Sequence, residues 1–171
     1  MCGFAGIFDP NNTLDLNRLK NYSYEMCSVL IHRGPDSEGL FHSDNIAIAH
    51  RRLSIQDLSI AGNQPMHSKS GRYLIAFNGE IYNHKDLRIE LNKEQKIIWE
   101  SDSDTESLIE SISRWGLENT LKKIKGMFAF ALWDKKECSL YLVRDRFGEK
   151  PLYYGWVDNT IVFASELKAI C

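Results

Sequence analysis

Met1-Cys2-Gly3-Phe4-Ala5-Gly6-Ile7-Phe8 opens the chain, and its reading decides the fold. From Cys2 onward the residues alternate as a strand does: Cys2, Phe4, Gly6 and Phe8 share one face, and Gly3, Ala5 and Ile7 share the other. Both faces are apolar or small, which predicts a central strand covered on both sides. Gly3 and Gly6 remove bulk where a ligand or another backbone approaches closely. The run ends in turn chemistry at Asp9-Pro10-Asn11-Asn12. No basic segment precedes it, so it does not read as a secretion signal.

Helical spacing follows from about Leu14 to Leu30, with Leu16, Leu19, Ser23, Met26 and Leu30 on one face. His32-Arg33-Gly34-Pro35-Asp36 breaks it, because Gly-Pro does not continue a helix. Short strands are predicted at Ile46–His50, Tyr73–Phe77, Phe128–Trp133, Ser139–Val143, Leu152–Trp156 and Thr160–Ala164. Helices are predicted near Lys85–Leu91 and from about Thr105 to Trp115, the latter stopped by Gly116. Four strands in close succession imply antiparallel hairpins, and two antiparallel sheets covered by helices are the natural layering. The expected class is α+β, in one domain spanning residues 1–171.

The chain has 171 residues, 43% hydrophobic and 26% charged, with a net charge of −2. This balance points to no nucleic-acid or anionic-membrane partner. The longest later apolar run, Met127 to Trp133, is too short to span a bilayer. Cys2, Cys27, Cys138 and Cys171 have neither zinc-ligand nor CxxC spacing, and His32, His42, His50, His67 and His84 are scattered. No metal site is expected. Reduced thiols in a cytoplasmic protein are, with Cys27 and Cys138 as small core residues.

Four segments carry residue types suited to chemistry, and each also has an ordinary reading. Cys2 becomes terminal if Met1 is trimmed, and then one residue holds a nucleophile and an α-amine of pKa about 8; alone, it is also just a second residue. An arginine at the strand end in His50-Arg51-Arg52-Leu53-Ser54-Ile55 suits a carboxylate or is simply solvated. Asn78-Gly79 reads as a tight turn, either plain or presenting the Asn78 amide and Gly79 N–H as paired donors. Asp104, in Ser103-Asp104-Thr105-Glu106, binds an ammonium or caps a helix.

Taken together the segments resemble the class II glutamine amidotransferases, and among them the N-terminal half of glutamine-dependent asparagine synthetases. The resemblance runs over the whole chain through MCGFAGIF, HRGPDSEG, AHRRLSI, NQPM, FNGEIYN, SDSDTE, GMFAFALWD, LVRDRFGEKPLYYG and FASELKAI, in family order. It implies the N-terminal-nucleophile hydrolase fold, a four-layer αββα sandwich of two antiparallel sheets. It implies Cys2 as nucleophile with its α-amine as base, and Asn78 and Gly79 as the oxyanion hole. It implies that Arg52 binds the α-carboxylate of L-glutamine and Asp104 its α-ammonium. Glu80 and the backbone around Ile55 and Gln56 complete the pocket, while Arg33 to Asp36 serve structure or loop closure.

The implied activity is glutamine hydrolysis to glutamate and ammonia, with the ammonia used for asparagine synthesis from aspartate and ATP by a synthetase domain outside this chain. ATP and Mg²⁺ are expected only there, and no cofactor here. A sugar phosphate, a phosphoribosyl donor or a polysaccharide carboxylate is the alternative acceptor, and a non-catalytic regulatory module of the same fold is the alternative role. With Met1 attached, Cys2 has no free amine, so the active species is expected to lack Met1. If a partner domain docks on this one, apolar surface among the last strands is expected to be exposed.

Overall fold

The computed structural model describes residues 1–54 and 57–171. The opening strand, β1 (Gly3–Phe8), lies at the middle of a five-stranded antiparallel sheet. Its order is β2 (Ser37–Ser43), β3 (Ile46–Arg52), β1, β9 (Thr160–Ala164), β8 (Tyr153–Val157). A second antiparallel sheet runs β4 (Met66–His67), β5 (Tyr73–Ile81), β6 (Gly126–Asp134), β7 (Ser139–Arg144). Three of the helices are α1 (Leu16–Val29), α2 (His84–Glu94) and α3 (Asp104–Trp115); α4 (Leu117–Lys123) is a short fourth.

The faces read from β1 are those observed. Phe4 meets Ile46, Ile48 and Phe163 of its own sheet and Leu74, Ala76, Ala129, Ala131 and Trp133 of the other, forming the layer between sheets. Ala5 and Ile7 face the opposite way and pack with Leu19, Met26 and Leu30 around α1. On the far side of the second sheet, Ile75, Phe77, Phe128, Phe130 and Leu132 pack under Leu87, Leu108, Ile109 and Ile112 of α2 and α3. Helix, sheet, sheet and helix therefore stack as four layers, because each sheet has two apolar faces to cover. A Cβ at Gly6 would lie 2.3 Å from the Phe163 ring and 2.6 Å from the Ala47 carbonyl, so that glycine is there for close approach.

Several expectations are corrected. Asn78-Gly79 is no turn: β5 runs through it to Ile81, paired with Ala129 and Phe128 of β6. The β2 strand, the two-residue β4 and helix α4 go unread in the sequence. Leu16 is 41% exposed, so the buried stripe of α1 is Leu19, Ser23, Met26 and Cys27. Cys27 is buried as expected, but Cys138 is exposed at the β6–β7 turn with a positive φ of 47°. No described helix is long and apolar enough to cross a membrane. Strand β8 leaves Tyr154 and Trp156 72% and 66% exposed, so apolar surface among the last strands is present.

Candidate functional site

At one end of the sandwich the inner faces change character while the strand alternation continues. On β1 the row through Phe8 and Phe4 ends at Cys2; on β3 the row Ile46, Ile48 continues into His50 and Arg52; on β5 the row Leu74, Ala76 continues into Asn78 and Glu80. Period-two geometry thus delivers Cys2, Arg52, Asn78 and Glu80 to one side of the interlayer space. The start of α3 closes it. The result is a cavity of ≈ 190 Å³ lined by Cys2, Arg52, Asn78, Gly79, Glu80 and Asp104, and also by Met1, Asp57, Gly62, Gln64, Met127 and Lys150.

Cys2 is part-buried, with the Leu53 N–H 3.4 Å from its Sγ and the Leu53 carbonyl 3.6 Å away. Burial pushes its thiol pKa up, against the lowering effects of the Leu53 N–H, the N-terminal charge and Arg52. The resting group is therefore a thiol, and a nearby base is required to make the thiolate. Behind it, Arg33 donates from Nε to the Cys2 carbonyl at 2.9 Å and from Nη1 to Glu166 at 2.9 Å. A Cβ on Gly3 would lie 2.9 Å from the Arg33 side chain, so that glycine admits the arginine. Despite its desolvation, Glu166 is held down at about 2 by bonds from His32, Arg33 and Lys168. Arg33 thus holds the Cys2 backbone, the structural one of the two roles expected for this segment.

Arg52 is 7% exposed and ties down the loop that follows it. Its Nη1 donates to the Ser59 carbonyl and to Asn63 Oδ1, each at 2.8 Å, and its Nη2 donates to the Asp57 carbonyl. It forms no ion pair among the described residues. None of these acceptors is a carboxylate, the group a guanidinium grips with paired N–H donors. Gly62 makes the room: a Cβ there would lie 2.2 Å from Arg52 Nη2. The Asp57 carboxylate accepts from the Ser59 and Asp102 N–H groups, linking this loop to the segment before α3.

On β5, the Phe77 N–H donates to Gln64 Oε1 at 2.6 Å and the Ile81 N–H to Asp104 Oδ2 at 2.8 Å. Both point away from β6, so the Gly79 N–H between them points to the same edge, at the cavity. The opposite residue agrees: Phe128 exchanges its backbone bonds with Asp145 rather than with β5. Beside Gly79, the Asn78 Nδ2 is buried without an acceptor among the described residues. A buried unpaired donor is costly and calls for an explanation. Asn78 and Gly79 both line the cavity, and an amide and a backbone N–H side by side are a donor pair able to hold a developing oxyanion.

Asp104 does not cap α3. Ser103 does, accepting the Thr105 N–H at 3.0 Å, which releases Asp104 to line the cavity as the first helical residue. Burial pushes the Asp104 carboxyl up to about 6, against the bond from the Ile81 N–H, and Glu80 adds to the rise. Such a group is short of a cation. Arg88 fixes the segment by donating to the Ser103 carbonyl at 2.8 Å and to Ser107 Oγ at 2.6 Å.

The sequence-predicted residues Cys2, Arg52, Asn78, Gly79, Glu80 and Asp104 are thus brought together, whereas Ile55 and Gln56 lie outside the described residues. Sequence reasoning assigned no role to Gln64 and Lys150, although both stand in quoted motifs. Gln64, 8% exposed, joins β5 to α3 by accepting from the Phe77 N–H and donating to Thr105 Oγ1 at 3.4 Å.

Comparison with known proteins identifies the family. A family model described as a glutamine amidotransferase domain matches residues 1–171. The chain is 41% identical over 170 residues to glutamine-hydrolysing asparagine synthetase 1 of Bacillus subtilis, covering 99% of this chain and 26% of that protein. It is 38% identical over 171 residues to glutamine-hydrolysing asparagine synthetase B of Escherichia coli, covering 99% of this chain and 30% of that protein. The chain therefore spans 26% to 30% of the length of these two relatives. The solved glutamine phosphoribosylpyrophosphate amidotransferase of B. subtilis, complexed with ADP and GMP, superposes with a TM-score of 0.83 at 23% identity over 99% of this chain and 43% of that one, a likeness of fold.

Proposed function

The chain belongs to the glutamine amidotransferase domain family and is of the asparagine synthetase type; from this premise we propose that it hydrolyses L-glutamine to glutamate and ammonia through a thioester on Cys2. The observation that carries the reading is that Asn78 and Gly79 line the cavity that Cys2 lines, with the Asn78 Nδ2 lacking an acceptor among the described residues.

The ends of a glutamine molecule match the two charged walls. Arg52 takes the α-carboxylate, and Asp104 takes the α-ammonium, which supplies the cation its raised pKa lacks. The side-chain amide then reaches Cys2. In the chain lacking Met1, the α-amine of Cys2 takes the thiol proton as Sγ attacks the amide carbon. Charge on the carbonyl oxygen is held by Asn78 and Gly79, and one such donor is typically worth about 10²–10³ in rate. The amine returns the proton to the leaving nitrogen, the C–N bond breaks and ammonia departs. Water, deprotonated by the same amine, attacks the γ-glutamyl thioester; the C–S bond breaks, giving glutamate and the free thiol.

The named activity of the relatives supports asparagine synthesis as the use of the ammonia. In this reading a synthetase region consumes aspartate, ATP and the ammonia, and the exposed Tyr154 and Trp156 of β8 are a surface for such a partner.

The test is ammonia and glutamate release by the Met1-free protein and by Cys2→Ala processed in the same way. Turnover by the parent and none by the variant is expected. Turnover that survives Cys2→Ala removes the assignment.

A further inference from the structure

The segment Arg144-Asp145-Arg146-Phe147-Gly148-Glu149-Lys150 takes no part in the reaction just described, yet it is held with unusual care. The Asp145 carboxylate accepts the N–H groups of Phe128, Phe147, Glu149 and Lys150. Arg144 donates to the Gly148 carbonyl at 2.6 Å and to the Lys150 carbonyl at 2.7 Å. Gly148 has a φ of +67°, and a Cβ there would lie 3.1 Å from the Arg144 guanidinium. What this turn delivers is Lys150, 7% exposed, into the cavity beside Met1, Cys2 and Met127.

The only bond of the Lys150 ammonium among the described residues is to Met1 Sδ, at 3.1 Å. A thioether is a weak acceptor, and it leaves with Met1. The other charged groups are differently placed. Arg33, behind the Cys2 carbonyl, is paired with Glu166 at 2.9 Å. Arg52 is engaged by the loop carbonyls and Asn63. Asp57, Glu80 and Asp104 complete the charged lining, with the Cys2 thiol as the remaining titratable group. Lys150 is the buried cation without a carboxylate within ion-pair distance among the described residues, and it lines the same cavity as the residue whose amine is to act as base, in contact with the Met1 side chain attached to it.

We infer that Lys150 is a positioning residue for catalysis: once Met1 has left, its ammonium disfavours a second positive charge nearby and so keeps the Cys2 α-amine neutral and able to accept the thiol proton. The inference rests on the reading of Cys2 given above. A like charge lining the same small, partly desolvated cavity is worth on the order of one pKa unit.

The test is the pH profile of kcat at saturating glutamine, where Asp104 is already paired with the substrate ammonium, measured on Met1-free parent, Lys150→Met and Lys150→Arg. The acid limb reports protonation of the amine. It is expected to move up by about one pH unit in Lys150→Met, and to stay near the parent in Lys150→Arg. If Lys150→Met does not fold, Lys150→Gln removes the same charge and is held to the same expectation. An acid limb that stays in place when the charge is removed overturns the role of Lys150 while leaving the role of Cys2 standing. Absence of turnover in the parent overturns both.

Discussion

Asp104 is the residue at which function and stability oppose each other most openly. Its carboxyl is raised from the usual range to about 6 by burial. The folded chain therefore holds this proton more tightly than the unfolded chain does. As pH rises from about 4 to about 6 the unfolded state releases the proton first, and stability falls by about 3 kcal/mol across that window. Asp104→Asn keeps an acceptor for the Ile81 N–H and removes the buried charge. The variant is expected to be more stable than the parent at pH 8 and equally stable near pH 4, as urea unfolding at the two values measures. Its KM for glutamine is expected to rise by about 10- to 100-fold, because a charge-assisted bond to the ammonium is lost. In the parent, KM is expected to fall as pH rises through about 6, since the ionised carboxylate binds the ammonium.

At the same scale, residue type alone was uninformative for Cys2, Arg52 and Asp104. Each had an ordinary reading, and the positions made sense only as a set. The capping reading of Asp104 is removed by its neighbour, because Ser103 takes the capping bond. Nothing in local sequence distinguishes two adjacent cap-competent residues; the position of Ile81 does.

Among the elements, β1 was legible because its alternation and its glycines carry the information locally. Gly6 is needed for close approach, as Phe163 and Ala47 confirm. Gly79 is needed for the same reason, yet Asn-Gly reads as a turn. Pairing with β6 overrides that local preference, and the signal lies in residues more than forty positions away. Strand β2 was missed because it is an edge strand, half exposed, with few apolar residues to alternate; its register comes from β3. In β5, a Cβ on Gly79 would lie 2.3 Å from the Met127 carbonyl and 2.7 Å from Phe128 Cα, both backbone atoms. Gly79→Ala therefore has to push β5 from β6. It is expected to cost about 1–3 kcal/mol in stability and to lower kcat by about 10²–10³ through displacement of the donor pair, with a smaller change in KM. A kcat close to the parent in a folded Gly79→Ala protein would place the oxyanion elsewhere.

Over the whole molecule, the site exists because two sheets end together. The apolar layer between them fills the middle of the sandwich, and the same strand faces become polar at one edge, where Cys2, Arg52, Asn78 and Glu80 follow Phe4, Ile48 and Ala76 in period-two order. The strand pattern of the sequence contained this arrangement, but not which strands are neighbours; that required β1 to pair with both β3 and β9 across the length of the chain. The supports around the site, Arg33 on the Cys2 carbonyl, Gln64 between β5 and α3, and the turn carrying Lys150, were not legible, because each acts on a residue far away in sequence.

All of this geometry converges on one atom, Cys2 Sγ, and on an amine that exists only after Met1 is gone. The direct measurement is acid-quench trapping during glutamine turnover, followed by intact-mass and peptide analysis of the Met1-free protein beside protein retaining Met1. One γ-glutamyl group on Cys2 of the Met1-free chain, and none on the chain with Met1, is the predicted result. A γ-glutamyl group on Cys27, Cys138 or Cys171, or equal labelling of Cys2 with Met1 in place, contradicts it.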